Sequence, residues 1–351
     1  MNRVGPYGEL VRNFAADLVS VRTGSRRFLP LMTNLYLTKQ CNLRCRYCYP
    51  PGDEPSLPVD ELVALLDKIR PRNPAINLTG GEPLLYPGIV PVLRRIRELA
   101  FRPVLLSTNG LLLERIAGEL GTVDRVIISL DSLHPDANDA MTGVPGSTPR
   151  IVQAIELAAR LSRLHGFALS VHAVISPETI GGIEDLVRLC GKVGATFTAS
   201  PEHGRVAPSE ELVSNPAYRA LIDRLAALER EGAPIICSQA YLRAIRDFGP
   251  HRCYPWLSPR VEPDGRVYLP CQRLRRRHVF LQEYPSLVEL MRREAEFDAS
   301  PECARSCYLA CYLEPERFLR NPLVLIESGP MRRALLGARR EVPEDVAGVL
   351  T

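Results

Sequence analysis

The chain has almost no lysine. Of its 44 basic residues only Lys39, Lys68 and Lys192 are lysines, and the rest are arginines. That bias reads first as genome composition. Neither sign of charge dominates, and a formal net charge of +4 argues only weakly for a polyanionic partner. No apolar run reaches the roughly 18 residues a membrane span needs. The first 30 residues carry Arg3, Arg12, Arg22, Arg26 and Arg27 with no apolar stretch before a small-residue cleavage site, which argues against a secretory signal. A cytoplasmic location without a transmembrane segment is the expectation. Also missing are a nucleotide P-loop, a G-x-G-x-x-G fingerprint and basic–aromatic interleaving, so no nucleic-acid partner is expected. There are no internal repeats or low-complexity tracts.

Ten cysteines stand in 351 residues. With 46% hydrophobic residues a large core is available, so they are not needed to staple a small fold. In a cytoplasmic chain they read as metal ligands rather than disulfides. Cys41, Cys45 and Cys48 form one group, and Cys303, Cys307 and Cys311 another. Cys253 and Cys271 flank a turn. Cys190 and Cys237 stand alone in apolar surroundings and read as buried, inert thiols.

Between residues 33 and 200, short β-rich runs (33–38, 75–79, 103–107, 125–129, 168–175, 196–200) alternate with helical patterns (59–69, 89–99, 112–120, 150–164, 183–193). In the first of these, Leu62, Leu65, Leu66 and Ile69 recur at helical spacing. Six such units predict an α/β fold, a partial (β/α)6 TIM-like barrel with a parallel sheet and outer helices. Working loops in such folds follow the C-terminal ends of strands. Cys41, Gly80–Pro83, Thr108–Gly110 and Asp131 fall there. Residues 1–30 are expected to be a helical extension with an amphipathic stretch near 10–21, packed on the barrel or, alternatively, resting on a lipid surface. The barrel is expected to span 31–235 and a small C-terminal domain 236–320, with a helical tail over 321–351. Asp264-Gly265 predicts a hairpin between Val261 and Tyr268.

Cys41, Cys45 and Cys48, at C-x3-C-x2-C spacing, can ligate three irons of a cubane and leave the fourth iron open. Zinc or an inert cysteine cluster is the structural alternative. At these residues, with Tyr47 between the last two cysteines, the chain resembles the radical S-adenosylmethionine (SAM) superfamily. The resemblance implies a 4Fe-4S cluster whose free iron is chelated by SAM. It implies reductive cleavage to a 5′-deoxyadenosyl radical, and Tyr47 near the adenine. Gly80, Gly81, Glu82 and Pro83 resemble the family's GGEP motif, which contacts the methionine amino group. The glycines can also let backbone approach a ligand. Thr108 and Asn109, and Ser129 and Asp131, are implied cofactor contacts at the next two strand ends. Helix caps and Asx-turns are their structural alternative. Ser129 and Asp131 are favoured over Ser107 for ribose.

Cys253, Cys271, Cys303, Cys307 and Cys311, with the hairpin between the first two, resemble the auxiliary-cluster domains called SPASM and twitch. They imply a second 4Fe-4S cluster held by four of the five, or alternatively a zinc site. The spacing departs from the pattern: five residues, not four, separate Gly265 from Cys271. Twitch relatives include aminocyclitol dehydrogenases and the molybdenum-cofactor cyclising enzyme. At the barrel mouth, Glu202, His203 and Arg205 could bind an anionic substrate or move a proton, or be a solvated loop. His172 on the fifth strand reads as core. The expected function is oxidation of a small molecule, with an auxiliary cluster accepting an electron and a flavodoxin or ferredoxin as donor. A SPASM-type peptide maturase and a non-catalytic metal-binding scaffold are the alternatives. No leader-peptide recognition domain is expected in the short segment before Thr33.

Overall fold

The structure, a computed structural model, describes residues 6–25, 29–48, 55–204, 207–294 and 307–324. It begins with helix α1 (Pro6–Thr23), followed by β1 (Thr33–Tyr36) and α2 (Val59–Ile69). Then come β2 (Ile76–Thr79), α3 (Ile89–Glu98), β3 (Val104–Thr108) and β4 (Arg125–Ser129). Helices α4 (Pro135–Thr142) and α5 (Ser147–His165), β5 (Ala168–Ile175), α6 (Ile183–Val193) and β6 (Thr196–Pro201) complete the barrel pattern. The six strands are parallel neighbours in sequence order, as the alternation predicted. Leu62, Leu65, Leu66 and Ile69 are all buried on α2, so the helical spacing marks the face laid on the sheet. The expected helix at 112–120 is instead a 3-10 segment, Leu113–Thr122, broken at Ile116. Gly118 and Gly121 lower its α-helical propensity.

After β6 run α7 (Glu210–Ser214), α8 (Pro216–Arg230) and α9 (Gln239–Asp247), then β7 (Arg260–Val261), β8 (Arg266–Leu269) and β9 (Arg277–Phe280). Helices α10 (Leu287–Arg293) and α11 (Ala310–Arg320) follow. The predicted hairpin is corrected here. Its turn forms, with Glu262 N donating to Arg266 O (2.8 Å) and Gly265 at φ +83°, but its two arms part. β7 joins the barrel sheet as a seventh parallel strand beside β1, while β8 pairs antiparallel with β9. The segment 236–320 therefore shares a sheet with the barrel. Cys311 sits in the first turn of α11. Of the expected tail, residues 325–351 lie outside the described residues.

α1 packs on the barrel. Asn13 Nδ2 donates to the carbonyls of Pro30 (3.2 Å) and Arg72 (2.8 Å), in the segments entering β1 and β2. Among the described residues no helix is long and apolar enough to cross a membrane. Asp17, fully buried on α1, accepts from Leu29 N (2.8 Å) through Oδ1, and its Oδ2 has no hydrogen-bond partner among the described residues. Burial raises its pKa to about 7. An acid whose folded pKa is raised stabilises the fold while protonated, and that stability fades as pH rises from about 4 through about 7. Asp17→Asn is therefore expected to raise stability at pH 8 by on the order of 2–4 kcal/mol and to change it little at pH 4. Urea unfolding at the two pH values checks this; an equal effect at both would refute the assignment.

Candidate cofactor site

The Cys41–Cys48 loop leaves β1 and is pinned by backbone. Arg44 N and Arg46 N donate to the carbonyls of Thr142 (2.7 Å) and Met141 (3.0 Å) at the end of α4. Leu43 N approaches Cys41 Sγ at 3.4 Å, and Cys48 N bonds Cys45 O at 3.0 Å. The three thiols lie within electrostatic reach of one another. Desolvation raises all three, Cys45 to about 12, although Cys48 is itself exposed at the loop surface, so without a cation they remain protonated. A bound metal group would supply the missing positive charge. Among the described residues, no three His, Cys, Asp or Glu side chains converge on a single-ion geometry. A cubane takes one thiolate per iron and does not require that convergence. The donor set fits a cluster.

The glycines of Gly80–Pro83 do something other than expected. A Cβ on Gly80 would stand 2.5 Å from Thr38 O, and one on Gly81 2.2 Å from Gln40 O. The close approach is to the chain's own backbone. Gly81 N donates to Thr38 O (2.8 Å) and Glu82 N to Gln40 O (2.7 Å), which strap down the residues just before Cys41. Glu82 is fully buried and its carboxylate is already engaged. Oε1 accepts from Leu84 N (3.0 Å) and the Thr108 hydroxyl (2.7 Å), and Oε2 from Asn109 N (2.8 Å). Burial raises its pKa, against these bonds. Glu82 thus ties the end of β2 to that of β3 and keeps one free lone pair on Oε2. Pro83 is buried and starts a one-turn 3-10 helix.

Thr108 and Asn109 serve the loop as well. Asn109 Nδ2 bonds Asn42 Oδ1 at 2.7 Å, inside the cysteine loop, and Asn109 Oδ1 makes an Asx-type bond to Leu111 N (3.1 Å). Tyr47 donates its hydroxyl to Asp131 Oδ2 (2.7 Å), and Asp131 Oδ1 accepts from Val174 N (2.8 Å). Burial raises Asp131 to about 6. The expected ribose contact at Asp131 therefore needs qualification: both oxygens already hold the chain. Ser129, exposed at the end of β4, keeps its hydroxyl available.

At the mouth, Arg46 of the cysteine loop bonds Glu178 (2.7 Å) and faces Glu202 (3.6 Å). Glu202 is partly buried, and desolvation raises its pKa. His203 is corrected as an acid–base candidate. It is buried, its Nδ1 pairs with Pro201 O (2.7 Å), and its Nε2 accepts from Tyr308 N (2.9 Å). Those partners fix a neutral ring, with a pKa near 4 because of burial. It is a strut between β6 and the segment before α11. His172 is half-buried, bonded through Nδ1 to the Thr198 hydroxyl (2.8 Å). Arg205 lies outside the described residues.

Four of the five C-terminal cysteines come together. Cys253, Cys307 and Tyr312 form one buried cluster with Cys311 packed on it, and Tyr312 also feels Cys271. Burial raises Cys307 to about 12 and Cys311 to about 11. Cys303 lies outside the described residues. Cys190 and Cys237 are buried, as expected. Sequence reading missed Asn42, Tyr312 and the buried trio Lys39, Arg260 and Glu262. Two opposite charges at Arg260 and Glu262 flanking Val261 in a β-rich run were the available signal for the last.

Residues 35–190 match the Radical SAM superfamily, and the chain carries a radical SAM domain. Among curated relatives, GTP 3′,8-cyclase of Geobacter sulfurreducens is 40% identical over 134 residues, covering 35% of this chain and 41% of that protein. Probable GTP 3′,8-cyclase of Methanococcus aeolicus is 32% identical over 168 residues, covering 45% and 54%. The chain spans about half the length of these curated relatives. Among solved structures, Streptococcus suis SuiB bound to S-adenosylmethionine superposes with a TM-score of 0.63 at 16% identity, covering 81% of this chain and 70% of SuiB. Native anSMEcpe with bound AdoMet and Cp18Cys peptide gives 0.58 at 17%, covering 81% and 88%. At such identities the likeness is one of fold.

Proposed function

We propose that the chain is a radical SAM enzyme acting on a small molecule, with a second cluster in its C-terminal segment. The observation that carries this is the gathering of Cys253, Cys271, Cys307 and Cys311 around Tyr312, in a chain whose Cys41 loop opens at the strand ends of a radical SAM domain. Cys41, Cys45 and Cys48 would hold a 4Fe-4S cluster, where bound SAM would supply a 5′-deoxyadenosyl radical for hydrogen abstraction, and the second cluster would supply an acceptor for the electron left on the substrate. The protein's part is positional. Gly80–Glu82 and Asn109 fix the Cys41 loop, and Tyr47 with Asp131 locks its far end. Ser129 offers a free hydroxyl at the ligand side. Glu202, beside Arg46, is the titratable group placed to take a proton from substrate. An external one-electron donor such as a flavodoxin or ferredoxin completes the reading.

Cyclisation of GTP is the second reading, favoured by the GTP 3′,8-cyclases matched over part of the chain. Anaerobic reconstitution tests the proposal. Wild type is expected to bind about eight irons and form 5′-deoxyadenosine under reduction. The Cys41/Cys45/Cys48 triple alanine variant is expected to keep about four and form none. A triple variant without iron would sink the second cluster. GTP consumed to a cyclised product would select the second reading.

A further inference from the structure

Between the two cysteine groups lies a buried charge knot that neither group's ligands explain. Lys39, two residues before Cys41, places Nζ 2.6 Å from Glu262 Oε2. Arg260 Nε lies 2.7 Å from Glu262 Oε1, an ion contact without hydrogen-bond alignment, and its NH2 group donates to Oε2 at 3.3 Å. The Arg260 guanidinium sits 3.4 Å from the centroid of the Tyr36 ring, a close cation–π stack. Glu262 has no exposed surface, and the Lys39 and Arg260 side chains keep only 10% each. The knot touches both groups. Arg260 lines one small pocket with Cys271, Gln272 and Tyr312. Tyr36 and Arg260 lie within electrostatic reach of Cys48 and of Cys311. Pairing of β7 with β1 fixes Arg260 beside the strand that delivers the Cys41 loop.

Lys39, Arg260 and Glu262 place two cations and one carboxylate together with little exposure to water. Buried charges interact strongly and are weakly screened by salt. A cluster reduced by one electron becomes more negative by one charge, so neighbouring charge biases its one-electron couple.

We propose that Glu262 is a positioning residue that sets the charge balance of this knot, and through it the reduction potential of the cluster held by Cys253, Cys271, Cys307 and Cys311. The inference rests on the second-cluster reading above. Removing the carboxylate charge makes the surroundings of the cluster more positive by one charge and favours the reduced cluster. Removing the guanidinium charge does the reverse.

The test is a redox titration followed by electron paramagnetic resonance on the reconstituted full chain, with Cys41, Cys45 and Cys48 replaced by alanine so that only the second cluster reports. Glu262→Gln is expected to shift the midpoint potential upward, and Arg260→Gln downward, with iron content unchanged. Opposite shifts separate charge from loosened packing, which would move both variants the same way. Unchanged potentials, or shifts of one sign, overturn the inference. If Glu262→Gln fails to hold iron, Arg260→Gln is read against the charge-keeping Arg260→Lys: a downward shift in the glutamine variant alone supports the proposal, and equal shifts in both, or none in either, overturn it. A parent that holds no iron removes the second-cluster reading itself, a result distinct from an iron-loaded parent with flat potentials.

Discussion

Gly81→Ala is expected to cost about 4 kcal/mol or more of stability and to leave the chain short of about four irons after reconstitution. The added methyl would stand 2.2 Å from Gln40 O and 2.5 Å from Lys39 O. Both neighbours are backbone, so no flexible side chain can swing aside. Relief requires breaking the bonds of Gly81 N to Thr38 O and Glu82 N to Gln40 O, which hold the residues leading into Cys41. Clashes with fixed atoms in packed regions are among the few single changes that exceed the usual range. Gly191→Ala on α6 is the control. A Cβ there meets nothing within 4 Å, and the change should be neutral or stabilising by about 0.5–1 kcal/mol. Thermal unfolding and iron counts on both variants decide the matter. Full iron in Gly81→Ala with an unchanged melting point would show that the strap does not exist.

His203→Ala is expected to cost about 3–5 kcal/mol at pH 7, through a buried cavity and the loss of the ring's bonds to Pro201 O and Tyr308 N. The cost should depend on pH in one direction. The ring's pKa falls from 6.5 to about 4 in the folded chain because burial opposes its charge. A base whose folded pKa is lowered contributes fully above its unfolded pKa. It loses that contribution as pH falls from about 6.5 through about 4. The variant's deficit should therefore shrink by on the order of 3 kcal/mol between pH 7 and pH 4. The wild-type profile alone would mislead, because Asp17 and Glu314, both raised to about 7 by burial, pull the other way. Urea unfolding of both proteins across this range gives the difference directly. A deficit constant with pH would mean that the ring is not held neutral by its partners.

The parts legible in the sequence were those written as repeats of a short pattern. Leu62, Leu65, Leu66 and Ile69 announce α2 because a buried helix face must recur at three and four residues. The strand ends announce the site because in a parallel sheet the loops after strands converge on one edge. What stayed hidden depends on contacts between distant residues. β7 is two residues long, and nothing in Arg260-Val261 says that it will lie beside Thr33–Tyr36 rather than fold back as a hairpin arm. Gly81 was legible as a glycine with a purpose, but whether the neighbour was ligand or backbone was not. Glu82 and Asp131 were legible as polar groups that follow strand ends. Their hydrogen bonds to Asn109, Thr108, Val174 and Tyr47 became visible only with the loops placed.

The strand β7 also has a consequence for how the molecule is made. Asn34 Nδ2 bonds the Ser258 hydroxyl at 2.8 Å across 224 residues of chain, and β7 covers the edge of β1. During translation that edge is complete on one side only until the ribosome has passed residue 261. Contacts of such separation form late, since the entropy of closing the intervening loop must be met first. The Cys41 loop is therefore assembled early in sequence but finished late in time. Its wall beside Lys39 is the last piece of the barrel to arrive.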